Sequence, residues 1–106
     1  MSYSLNTIVL DPVSKEKPKN AMILCHGYGG DGKDISLLAS YWRNHLKETI
    51  FICPDAPERC SVNSNGFQWF DLIDNTEDQI LAKSLVAEMK LNKLIDEVKE
   101  RYNLNS

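Results

Sequence analysis

The sequence predicts an α/β fold, a mostly parallel β-sheet with flanking helices. Two short, continuous apolar runs, "AMILCH" at 21–26 and "TIFICPD" at 49–55, have the pattern of strands buried on both faces of a parallel sheet. Between them lie a glycine-rich turn, "HGYGGDGKD" at 26–34, and a segment with apolar residues at helical spacing. Strand, glycine turn, helix and strand make a βαβ unit, whose crossover is right-handed.

Taken in order, "SYSLNTIVL" at 2–10 is apolar and β-branched enough for a strand, and the polar "DPVSKEKPKN" after it is a loop broken by Pro12 and Pro18. After the 21–26 strand, Asp34 is a suitable N-cap for a helix from Ile35 to about Lys47. Ile35, Leu38, Ala39, Trp42 and Leu46 form its apolar face. Pro54 ends the next strand. Residues 54–75 read as a long irregular loop with turn formers at Pro57, Asn63, Asn65 and Gly66. Its aromatics Phe67, Trp69 and Phe70 fit a functional loop and a cap over the core equally well. From Thr76 to Tyr102 the pattern is helical, with Glu77 and Asp78 in the first turn. The apolar stripe Leu81, Leu85, Met89 shifts to Leu91, Leu94, Ile95, Val98, Tyr102, so one helix and two helices with a break both remain open.

Composition narrows the function classes. A chain of 106 residues supports one domain over 1–106, smaller than most complete two-layer enzymes. A net charge of -3 without any basic run argues against a nucleic-acid surface. No apolar stretch approaches the roughly 20 residues of a membrane span, and no secretory signal pattern opens the chain, so the expected location is cytoplasmic. Cys25, Cys53 and Cys60, an odd number at wide spacing, fit reduced thiols better than a disulfide framework. They form no recognised ligand spacing with His26 and Asp55, so neither metal nor cofactor is expected.

The glycine turn fits three templates. G-x-x-x-x-G-K is followed by Asp34 where a phosphate-binding loop needs a hydroxyl, and Asp31 and Asp34 would repel phosphates. G-x-G-x-x-G between a strand and a helix suits a dinucleotide, with Asp55 placed for a ribose hydroxyl. Against that reading stand His26 before the first glycine and Asp31 beside the pyrophosphate. The third template is an oxyanion hole, in which backbone N–H groups stabilise charge on a carbonyl oxygen during acyl transfer. "HGYGG" supplies glycines that let the backbone turn its amides outward, with the Tyr28 N–H pointing at the oxygen.

Three stretches in order, "ILCHGYGGDGKDISLLASYW", "FICPDAPERC" and "GFQWFDL", together resemble the first half of the phospholipase/carboxylesterase family of α/β-hydrolases, which includes the acyl-protein thioesterases. The resemblance spans Ile23 to Leu72 and implies a partial α/β-hydrolase fold acting on small-molecule ester or lipid-like substrates. It implies that Tyr28 gives the oxyanion-hole amide, that His26 and Gly27 shape the turn with Gly29, and that Trp69 with "PDAPERC" borders the acyl pocket. That family uses a serine on a G-x-S-x-G elbow, with Asp and His further along. None of the five glycines (27, 29, 30, 32 and 66) brackets a serine in this way, so the fold is expected to stop before the elbow. Cys25 and His26, adjacent on one strand, point to opposite faces and cannot pair as nucleophile and base. His26 reads as a residue bonding loop backbone and His45 as solvent-facing. The chain alone is therefore expected to be inactive. In the family's strand order the 21–25 strand would expose an apolar edge, open to a carboxyl-terminal fragment or to a second copy.

Overall fold

A computed structural model describes residues 3–73 and 76–104. Five strands and two helices follow in the order β1 (Thr7–Leu10), β2 (Asn20–Ile23), α1 (Gly32–Trp42), β3 (Thr49–Pro54), β4 (Glu58–Arg59), β5 (Phe67–Gln68) and α2 (Glu77–Tyr102). The main sheet has the order β1-β3-β2, with β3 antiparallel to β1 and parallel to β2. The βαβ unit is present as β2-α1-β3, and the sheet is mixed because β1 joins it from the opposite direction. Ser2, where the first strand was expected to begin, lies outside the described residues, as do Asp74 and Asn75. The first strand forms only at Thr7–Leu10.

Every residue of β3 is buried. Its alternation sends Ile50 and Ile52 to one face, with Leu5, Leu94 and Val98, and Phe51 and Cys53 to the other, with Ala39 of α1. Helices thus cover both faces of a central strand. β2 differs from expectation. It lies at an edge of the described sheet and is only half-buried, because its second hydrogen-bonding side has no strand against it there.

The first helix begins and ends earlier than expected. Its N-cap is Asp31, whose carboxylate accepts the Asp34 N–H at 2.7 Å, while Asp34 takes the first turn. The Gly32 N–H is taken by Asp55 Oδ1 at 2.7 Å, so the orphan amides of that first turn find acceptors one turn before Asp34. Gly32 must be glycine, since a Cβ there would sit 2.3 Å from the Cys53 carbonyl oxygen. After Trp42 the chain turns through the bonds His45 N to Trp42 O and Leu46 N to Arg43 O, leaving Leu46 exposed.

α2 is one unbroken helix. Thr76 and Gln79 form a capping box, and Asn103, in the left-handed conformation at φ 54°, closes its end. The shift in its apolar pattern marks a change of face, because Leu91 lies about 200° around the helix from Met89 at roughly 100° per residue. Leu94 and Val98 are buried on the sheet, whereas Leu81, Leu85 and Met89 are 61%, 52% and 71% exposed. The segment expected to be irregular contains a small antiparallel hairpin, β4-β5, pairing Glu58 with Gln68 and Arg59 with Phe67. No helix among the described residues is long and apolar enough to cross a membrane.

Candidate active site

The parallel ladder ends at the Leu24 N–H, which donates to the Ile52 carbonyl at 2.9 Å. Two residues on, His26 is buried at the junction between the sheet and the glycine loop. Its Nε2 accepts the Ala56 N–H at 2.9 Å, so in the neutral ring the proton is on Nδ1. Nδ1 lies 2.6 Å from the Gly27 carbonyl oxygen and donates to it. Trp69 stacks on the ring with centroids 5.6 Å apart, and its Nε1 donates to the His26 carbonyl at 2.9 Å. Both imidazole nitrogens are engaged with backbone, which leaves neither to serve as a general base. His45, the other histidine, is exposed in the turn after α1, with its ring centroid 6.4 Å from that of Tyr41.

The loop turns at Gly27–Gly30, closed by the Gly30 N–H to the Gly27 carbonyl at 3.1 Å. Gly29 has φ +82°, the value that the third position of such a turn requires and that side chains other than glycine's resist. The Gly27 carbonyl therefore receives two donors, one from His26 and one from Gly30. In a trans peptide the C=O and N–H point in opposite directions, so holding the Gly27 oxygen inward aims the Tyr28 N–H outward. Among the described residues the Tyr28 N–H has no acceptor, and a Cβ at Gly27 would meet nothing within 4 Å. The amide is thus left without a partner among them, beside open space at Gly27.

The β4-β5 hairpin holds this loop from the other side. Gly29 N–H donates to Phe67 O at 2.9 Å, Phe67 N–H to Gly30 O at 2.8 Å, and Asn63 Nδ2 to Gly29 O at 3.0 Å. The two backbones approach so closely that a Cβ on Gly66 would lie 2.0 Å from the Gly29 oxygen. The Tyr28 hydroxyl lies 3.1 Å from Ser61 Oγ, which also bonds Gln68 and Asp71. Ser61 is the serine beside the loop, and no imidazole is among its partners.

The structure thus brings together His26, Gly27, Tyr28, Gly29 and Trp69, all singled out from sequence. It adds Asn63, Ser61, Gly66 and the Ala56 amide. Of these, Asn63 and Gly66 in the "NSNG" run read as a turn, and Ala56 lies in "PDAPERC", which the resemblance placed at the acyl pocket; Ser61 carried no signal. Asp55, expected at a ribose under the dinucleotide reading, is committed to Gly32 and, through Oδ2, to Asn6 at 3.3 Å. The thiols offer no substitute nucleophile. Burial pushes the Cys53 thiol up to about 11, helped by the nearby Cys25, and local desolvation raises the Cys25 thiol although that residue is exposed overall, so neither shift is toward a thiolate. The three cysteines are free, and no cluster able to hold a metal occurs among the described residues. A groove of about 330 Å³ runs from Trp69 and Phe70 to Ala82, Val86 and Ala87 of α2.

The sequence signature of the phospholipase/carboxylesterase family matches residues 9–103. The fold superposes on the crystal structure of esterase PE8 with a TM-score of 0.85 and 32% sequence identity, over 95% of this chain and 47% of that one. The chain spans about half the length of that esterase.

Proposed function

The chain belongs to the phospholipase/carboxylesterase family, and from that premise we propose that it carries the oxyanion-hole loop of a carboxylic ester or thioester hydrolase, with the Tyr28 N–H as donor. The observation that carries this reading is the Gly27–Tyr28 peptide, whose carbonyl is held by two donors while its amide meets no acceptor among the described residues. When a nucleophile attacks a carbonyl carbon, the C=O π pair moves onto oxygen. A fixed N–H about 3 Å away stabilises that charge without reorganising. His26 and Gly27 orient the donor, Gly29 supplies the turn, and Trp69 borders the groove that would take an acyl chain. The substrate is a small-molecule ester or a lipid-like ester.

The attacking serine and its acid and histidine partners are supplied by a segment outside these 106 residues, which contain no G-x-S-x-G. The chain contributes one part of an α/β-hydrolase domain. The complementary segment pairs along the open side of β2, and the three unbridged cysteines fit a reducing, cytoplasmic setting.

The test is a p-nitrophenyl ester assay on the chain alone and on the chain co-expressed with the rest of the esterase PE8 chain. The chain alone should show no turnover above buffer, and the pair should show serine-dependent turnover. Tyr28→Pro, which removes the N–H, should lower kcat of the pair about 100- to 1,000-fold, while Tyr28→Phe should not. Turnover by the chain alone, abolished by changes within it, would overturn the proposal. The exposed β2 edge favours one other reading, a non-catalytic module that pairs through this edge with a second copy.

A further inference from the structure

We propose that Asn63 is a positioning residue for the glycine loop, acting through the Gly29 carbonyl. Its role in catalysis rests on the oxyanion-hole reading of Tyr28. An asparagine amide offers one acceptor and two donors, and here both kinds are used. Oδ1 accepts the Asn65 N–H at 3.2 Å and holds the hairpin's own turn, while Nδ2 reaches across 34 positions of sequence to the Gly29 oxygen at 3.0 Å. The Asn63 carbonyl also accepts the Gly66 N–H at 2.9 Å, which brings Gly66 against the same Gly29 oxygen. Gly29 occupies the positive-φ corner of the loop, and its amide is tied to Phe67. With Phe67 gripping the amide end and Asn63 the carbonyl end, Gly29 is fixed on both sides. The adjoining Tyr28 peptide then has no freedom to flip its N–H inward.

The two roles of the side chain separate by chemistry. At neutral pH Asn63→Asp keeps an acceptor for Asn65 but has no proton for Gly29, whereas Asn63→Ala loses both. Amide spectra and hydrogen exchange of the ¹⁵N-labelled 106-residue chain read the outcome. In Asn63→Asp the Tyr28, Gly29 and Gly30 resonances should move and Gly29 exchange should quicken about five- to tenfold, the worth of one net hydrogen bond. The Asn65 amide keeps an acceptor and the Gly66 amide keeps the residue 63 carbonyl, so the exchange of both should stay as in the wild type. Acidification through the new carboxyl's titration should return the Gly29 resonance toward the wild-type position, because the protonated acid can donate again. Unmoved loop amides at neutral pH, or hairpin amides whose exchange quickens more than that of Gly29, would overturn the proposal. The readout involves no catalysis, so an inert Tyr28→Pro substitution in the ester assay would remove the oxyanion reading and leave this result standing.

Discussion

Side chains that bond to backbone far away in sequence set most of the local geometry in this chain. His26 is the clearest case, since the Ala56 N–H fixes its tautomer and the tautomer in turn fixes the Gly27 carbonyl. Sequence marked His26 as a loop-bonding residue but not its partner, because the Ala56 amide approaches only after β2 and β3 pair. Asn63 was legible as a turn former through its short-range bond to Asn65, and its long-range bond to Gly29 was not. Glu97 anchors the amino-terminal segment by accepting the Ser4 N–H and hydroxyl, each at 2.9 Å. The Ser4 backbone bond is the main cause holding its carboxyl below the usual glutamate value. A depressed carboxyl contributes stability above its unfolded pKa and loses it as pH falls through the folded one. Glu97→Gln should therefore weaken the acid dependence of thermal unfolding below the ordinary glutamate range, as measured by Tm against pH. The variant's acid limb should be shallower than the wild type's.

At the level of elements, type was more legible than extent. Both helices and the βαβ core follow from apolar periodicity, which is local information. The start of α1 is set by its Asp31 cap together with Asp55, a residue just past β3 that accepts the Gly32 amide and that no local pattern connects to the helix. The β4-β5 hairpin was hidden because two-residue strands carry no readable alternation, and its register is set by the glycine loop it grips. In α2 the pattern shift was visible, and its cause is that the helix serves two surfaces. That division predicts a contrast in urea unfolding. Leu94→Ala, fully buried against Ile50 and Ile52, should lose about 2–5 kcal/mol. Leu85→Ala, on the exposed stripe, should change stability by no more than about 0.5 kcal/mol.

For the whole molecule, the sequence conveyed the layered α/β arrangement but not where β1 would dock. β1 lies beside β3 rather than β2, an antiparallel pairing across more than forty residues that no local pattern encodes. The same arrangement leaves β2 at a sheet edge, with Ala21 and Ile23 beside Ile95 and Val98 along one groove. An apolar edge with unpaired backbone groups invites another strand. The purified chain should elute on size exclusion above its 12.1 kDa monomer mass. Elution of the unmodified chain as a stable monomer would contradict the pairing. The clamp around the glycine loop has a consequence in time as well as in space. Its contacts run from His26 to Trp69, all ahead of α2 in the chain. The hydrogen bonds that orient the Tyr28 amide thus join segments that are all made before α2, so the order of synthesis already brings the loop's partners together.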